Sequence, residues 1–180
     1  MTFDELAEFA DPQDWSHEAQ ELVAELTWLP YGMPTPPEGF LLRWVGVAIA
    51  VGEIAWLNLR YGPHLGRRPP FIEITTGPRC PPGIKPPQLF EHLDSELRDQ
   101  IHPAEVTLTI DERPRTSLGL RADQSWVARF TLAGLDAVVV SSQCRPEQAS
   151  LGPVGLATVL AQLQGQERIA RSLAGPQSDS

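Results

Sequence analysis

The sequence predicts a single α+β domain, in which a largely antiparallel sheet of six or seven strands is combined with helices at the N-terminus, in the middle and at the C-terminus. Three observations lead to this class. Apolar residues recur at helical spacing in three segments, and strand-like runs fill the segments between them. The strands follow one another through short turns, which favours antiparallel pairing. The domain is expected to span residues 1–173, with residues 174–180 as a disordered tail.

The N-terminal segment is predicted to be helical. Thr2 and Glu5 form the capping-box pattern Thr-x-x-Glu, which predicts a short helix through about Phe9. Asp11 and Pro12 then have the residue types of a second helix start. An apolar stripe follows at three- and four-residue spacing: Trp15, Ala19, Leu22, Val23 and Leu26. We therefore expect a helix that buries this stripe against the sheet.

The middle of the chain is predicted to hold three strands after an extended connector, Pro30–Pro37. Phe40–Val51 and Glu53–Tyr61 are long apolar runs with β-branched residues, and we interpret both as strands. Gly46–Leu59 can also be drawn as a buried helix, and the sequence leaves that alternative open. Phe71–Thr76 alternates apolar and polar residues, as a half-buried strand does.

The second half of the chain is expected to hold two helices and three clear strands. These are a helix at Pro86–Ile101, strands at Val106–Asp111, Trp126–Leu132 and Ala137–Ser142, and a helix that begins at Pro153. Residues Arg113–Arg121 are assigned to a turn or an edge strand. A hairpin turn is expected at Gly134, because glycine tolerates the backbone angles of tight turns.

Charge is distributed unevenly along the chain. The 14 Lys and Arg residues and 23 Asp and Glu residues leave a net charge of −9. Residues 1–38 contain nine acidic residues and no lysine or arginine, so this segment carries a charge equal to that of the whole chain. Asp14, Glu18, Glu21 and Glu25 share one helical period. We expect these four side chains to form a docking stripe for a protein partner with a basic surface.

The function class that this charge pattern favours is a protein-interaction domain, such as an immunity-type inhibitor or a chaperone-like adaptor. The alternative is a small-molecule or anion-binding domain that uses the Gly62–Arg68 loop, where His64, Arg67 and Arg68 would grip an anion. An enzyme is less favoured, because no nucleophile motif is present. A third interpretation places the acidic helix on the basic middle segment of its own chain or of a twin subunit.

Several other classes are disfavoured. Val45–Val51, the most apolar run, is far shorter than the roughly 20 residues that cross a bilayer. No secretory signal follows Met1, so a cytoplasmic protein without a membrane partner is expected. No spaced ligand set predicts a metal or cofactor, and Cys80 and Cys144 are expected to be reduced. The net negative charge opposes nucleic-acid binding. The chain is expected to be a monomer or a homodimer.

Overall fold

The computed structural model describes residues 5–9, 26–50, 53–64, 69–78, 100–155, 157–159 and 161–162. Almost all of this part of the chain is β-sheet. The strands are β1 (Glu5–Phe9), β2 (Tyr31–Gly32), β3 (Leu41–Ala50), β4 (Glu53–Gly62), β5 (Phe71–Gly77), β6 (His102–Ile110), β7 (Arg113–Ala122), β8 (Ser125–Leu132), β9 (Leu135–Ser142) and β10 (Ser150–Pro153). A 3₁₀ turn, Pro146–Gln148, precedes β10, and residues 157–159 and 161–162 are helical.

The strands form one mixed sheet that curls into a half-barrel. Their order is β1-β3-β4-β5-β9-β8-β7-β6-β10-β2. Neighbouring strands are antiparallel, except that β10 runs parallel to β6. The curl brings β2 back to β5, where the backbone N–H of Tyr31 donates to the hydroxyl of Thr76 at 3.3 Å. We call the concave side of this sheet the inner face and the convex side the outer face.

The predicted α+β class is therefore wrong. The N-terminal helix expected through Phe9 is instead the strand β1, which pairs with β3 from Glu5 opposite Ile49 to Phe9 opposite Val45. The capping-box pattern is a local signal, and an isolated helix of two turns is unstable in water. Hydrogen bonds to a neighbouring strand overrule it.

The other predicted helices have different outcomes. The apolar stripe of residues 15–25 and nearly all of Pro86–Ile101 lie outside the described residues, as does the predicted tail. The C-terminal helix does not begin at Pro153, which is the last residue of β10. Ser150 and Leu151 pair with Thr109 and Ile110 of β6, so tertiary pairing keeps this segment extended, and the described helical residues are 157–159 and 161–162.

The strand predictions in the middle and second half are confirmed. Val45 lies opposite Leu59 in the β3–β4 ladder, which excludes the helical alternative for Gly46–Leu59. β5, β8 and β9 fall where the alternation places them, whereas β6 begins at His102, four residues before the predicted start, and ends at Ile110, one residue before the predicted end. The segment Arg113–Arg121, for which the sequence allows a turn or an edge strand, belongs to the strand β7. This segment pairs with β6 along its length.

The inner face carries the main hydrophobic core, because alternate residues of each strand point to one side. Its largest fully buried side chains come from β3, β4, β5, β6, β8 and β10: Leu42, Leu57, Leu59, Tyr61, Ile72, Ile74, Leu108, Ile110, Trp126 and Leu151. Met33, which follows β2, is also fully buried among them. Residues 26–34, which we call the strap, thus lie against the inner face, with Leu26 and Trp28 packed on this core.

The hydroxyl of Tyr61 joins three parts of the chain under the strap. It accepts a hydrogen bond from the backbone N–H of Met33 at 3.3 Å and donates to Oε1 of Gln162 at 3.2 Å. Nε2 of Gln162 donates in turn to the carbonyl of Met33 at 3.0 Å. Burial raises the pKa of Tyr61, and the N–H of Met33 offsets only part of that rise.

Two glycines allow the backbones of neighbouring strands to approach closely. A Cβ on Gly119 of β7 would lie 2.1 Å from the carbonyl oxygen of Val127, and one on Gly77 of β5 would lie 2.1 Å from that of Ala55. Both contacts are to backbone, which cannot rotate away as a side chain can. Glycine is therefore required at both positions.

We expect Gly119→Ala to lower the free energy of unfolding by about 1–3 kcal/mol, the usual effect of forcing atoms into filled space. Gly155→Ala is the matched control, because a Cβ there meets nothing within 4 Å. It should change stability by less than about 1 kcal/mol, as an exchange near a helix start does. Urea denaturation of both variants measures the difference. Equal losses would show that the close approach at Gly119 is not a constraint.

We expect the protein to lose stability above about pH 10, the ordinary pKa of tyrosine. A pKa raised in the folded state means that folding favours the neutral phenol, so this stabilisation is complete below pH 10 and falls as the pH rises towards the folded pKa. Tyr61→Phe should be less stable at pH 7 but lose less with increasing pH. Leu59→Ala, which loses stability through a cavity, should keep the wild-type pH dependence. Identical pH profiles for wild type and Tyr61→Phe would contradict this account.

Candidate functional site

A cluster of polar and aromatic side chains is buried on the outer face of β3, β4 and β5. Because Leu57, Leu59 and Tyr61 of β4 point inwards, the residues between them, Asn58 and Arg60, must point outwards. The same alternation turns three residues of β5 and one of β3 to this side. We call the group the outer-face cluster: Trp44, Asn58, Arg60, Phe71, Glu73 and Thr75.

An ion pair between Arg60 and Glu73 lies at the centre of the outer-face cluster. The two residues are direct cross-strand partners. Nε of Arg60 donates to Oε2 of Glu73 at 2.6 Å, and Nη2 donates to the same oxygen. The other carboxylate oxygen accepts a hydrogen bond from Nδ2 of Asn58 at 2.8 Å, and that amide also donates to the Thr75 hydroxyl at 2.8 Å. Glu73 is therefore held from two sides.

Two aromatic rings enclose the guanidinium of Arg60. Its central carbon lies 5.0 Å from the ring centroid of Trp44 and 4.9 Å from that of Phe71, within the range of cation–π attraction. Trp44 is also the cross-strand partner of Arg60. Its ring extends over Gly46, where a Cβ would lie only 2.5 Å from a ring carbon. Glycine at this position makes room for the ring.

The outer-face cluster is shielded from water and almost neutral. The side chain of Arg60 is 6% exposed and that of Glu73 is 17% exposed. Two buried polar atoms, Nη1 of Arg60 and Oδ1 of Asn58, have no hydrogen-bond partner among the described residues. They offer one donor and one acceptor, which suits a bound water or a small polar group. The Thr75 hydroxyl and the Glu73 carboxylate are held by Asn58 and Arg60, so the contacts of the outer-face cluster fix β5 against β4.

The predicted anion site is only partly described. His64 is exposed at the end of the described part of the Gly62–Arg68 loop, and Arg67 and Arg68 lie outside the described residues. The start of the loop is fixed by Arg43 of β3, which donates from Nε to the carbonyl of Gly62 at 3.1 Å and from Nη2 to that of Pro63 at 2.8 Å. Burial lowers the pKa of Arg43. The convergence of His64, Arg67 and Arg68 stays a prediction.

The predicted partner-binding residues, Asp14, Glu18, Glu21 and Glu25, also lie outside the described residues, so the stripe stays a prediction. Within the described ranges, no three His, Cys, Asp or Glu side chains are grouped as a metal would require. Helices in the same ranges are all too short or too polar to cross a membrane. The thiol of Cys144 is free and buried, and burial raises its pKa.

Sequence reasoning missed the outer-face cluster. Its signal was present as two short alternations, Asn58-x-Arg60 in one strand and Glu73-x-Thr75 in the next. Opposite charges on neighbouring antiparallel strands predict a cross-strand pair only when the register is known. The Gly/Pro/Arg loop between the two strands left that register undetermined.

Comparison of the chain with protein-family models, with curated proteins and with solved structures finds no match.

We expect Arg60→Met to lower the free energy of unfolding by about 3–5 kcal/mol, because it leaves a buried carboxylate without its partner. The double variant Arg60→Met with Glu73→Leu should recover most of that loss. The exposed pair Arg129–Asp136, 3.4 Å apart, provides the control. Arg129→Met should cost less than about 1 kcal/mol. Denaturant titration of the four proteins tests this, and a double variant as unstable as the single one would refute the coupling.

Proposed function

We propose that the chain is a cytoplasmic protein-interaction domain, of the immunity-inhibitor or chaperone-adaptor kind, that docks a partner with a basic surface. Asp14, Glu18, Glu21 and Glu25 would form the docking stripe. The observation that carries the proposal is the charge distribution: residues 1–38 hold nine carboxylates and no lysine or arginine. Such a field accelerates encounter with an oppositely charged protein and selects against acidic partners.

The described ends of the acidic segment support this proposal. Before residue 10 the chain is in β1, paired with β3, and from Leu26 onwards it packs on the inner-face core. Residues 10–25, which lie outside the described residues, connect these two positions of the chain. Five carboxylates lie between these two anchor points. Their attachment at both ends keeps the charge next to the folded domain, which favours recognition by a defined surface.

The ion pairs of the described arginines also support it. Arg60 is paired with Glu73, and Arg129 lies beside Asp136. Arg43 is directed to backbone carbonyls. Within the basic middle segment, residues 39–90, the described arginines Arg43 and Arg60 are thus engaged inside the sheet, which argues against the interpretation that this segment neutralises the acidic residues.

We expect Glu18→Lys with Glu21→Lys to abolish capture of a basic partner from native lysate. Glu105→Lys with Glu112→Lys is the matched control, because both side chains are exposed and the change in net charge is the same. The control should retain the partner. The association rate of the partner with the wild-type protein should fall as the salt concentration rises, because exposed charges are screened beyond about 8–10 Å.

Two results would contradict the proposal. If all three baits capture the same basic proteins, the stripe plays no part in recognition. Alternatively, the stripe variant would lose much of its free energy of unfolding, which would show that the carboxylates pair with arginines of the same molecule. Thermal unfolding of the purified variants separates this second case from a loss of docking.

A further inference from the structure

The backbone of β7 has a free edge over part of its length. The turn between β6 and β7 consists of Asp111 and Glu112, both at positive φ, as in a two-residue hairpin turn. In such a hairpin the closing pair, Ile110 and Arg113, is hydrogen-bonded. The odd-numbered residues of β7 therefore bond to β6, and the even-numbered residues direct their N–H and C=O groups to the opposite side.

The hairpin between β7 and β8 also indicates that the even-numbered residues of β7 direct their backbone groups away from β6. Ala122 and Ser125 close it, so the even-numbered residues of β7 face β8. The β7–β8 ladder contains only three pairs and ends at Leu120 opposite Val127. Beyond that point, within the described residues, Pro114, Thr116 and Leu118 have no ladder partner on this side.

The free edge is exposed to solvent. Leu118 is 73% exposed, and Pro114 and Thr116 are exposed as well. The Thr116 hydroxyl is held within 2.7 Å of that of Thr107 on β6, which leaves the backbone of Thr116 open. The Ser117 hydroxyl donates to the carbonyl of Arg129 on β8 at 2.6 Å and lies 3.5 Å from that of Leu118. This bridge closes the Leu118 end, so Thr116 is the central open residue.

The charge of β7 selects the kind of strand that fits this edge. β7 contains Arg113, Arg115 and Arg121 and no carboxylate. Arg113 and Arg115 project to one side of the strand, and Thr116 and Leu118 project to the other. An incoming strand that alternates acidic and apolar residues would set its carboxylates beside the arginines and an apolar side chain beside Leu118.

We propose that the free edge of β7, Pro114–Thr116, binds an extended acidic segment of a partner protein by strand addition. This surface is separate from the acidic stripe and does not depend on it. A second copy of the chain fits less well, because its free edge carries the same two arginines, Arg113 and Arg115, and like charges on paired strands are destabilising. Pro114, which has no N–H, limits the edge to a short segment.

A labelled peptide of alternating glutamate and valine is the probe. Thr116→Pro removes the central N–H without breaking a bond to β6, and Thr116→Val keeps that N–H. We expect Thr116→Pro to weaken peptide binding on the order of tenfold, the effect of one lost interface hydrogen bond, and Thr116→Val to leave it nearly unchanged. Peptide binding should slow hydrogen exchange at Thr116. A peptide of alternating lysine and valine should not bind.

Three outcomes would overturn the proposal. Binding that Thr116→Pro and Thr116→Val affect equally would show that backbone pairing is not used. Slowed exchange that excludes Thr116 would place the peptide elsewhere. If the wild type binds no peptide but self-associates, and Thr116→Pro abolishes that self-association, the edge binds a second copy of the chain instead. Thermal unfolding of Thr116→Pro confirms that the variant is folded, and Arg113→Glu with Arg115→Glu supplies an independent loss-of-binding variant if it is not.

Discussion

The strap covers part of the apolar inner face of the half-barrel, and the Tyr61 hydroxyl holds the strap in place. Curling the sheet brings many apolar side chains to one concave surface, and burying them is the main driving force for folding. The strap supplies part of the cover, yet it carries backbone groups that lose water when they are buried. Tyr61 satisfies the N–H of Met33, and Gln162 satisfies its carbonyl. Sheet, strap and the helical residues near the C-terminus are therefore interdependent.

The outer face, unlike the apolar inner face, has a buried ion pair at the centre of its cluster. Arg60 and Glu73 are nearly buried, and each would be costly without the other. The rings of Trp44 and Phe71 replace the water that the guanidinium loses. A purely apolar outer face would tolerate a shift of the β4–β5 pairing, whereas a buried ion pair between direct partners does not. The outer-face cluster therefore selects one register for these two strands.

The strands were predictable from the sequence where alternation or a long apolar run was strong, as in Phe71–Gly77 and Ser125–Leu132. They were not predictable where pairing alone decides the structure. Glu5–Phe9 has a helix-start pattern, and β2 has only two residues. β10 contains a glycine and a proline and becomes a strand because β6 and β2 flank it. The outer-face cluster escaped prediction for the same reason, since its partners come from two strands of unknown register.

The pairing of β2 with β10 determines when the half-barrel closes. Gly32 lies opposite Gly152, so 120 residues of chain separate the two partners. β10 itself needs β6 in place, because Ser150 and Leu151 pair with its last two residues. Contacts between such distant segments are slow to form. During synthesis the strap is made long before Gly152. The concave surface therefore stays open to solvent and to chaperones until that part of the chain has been made.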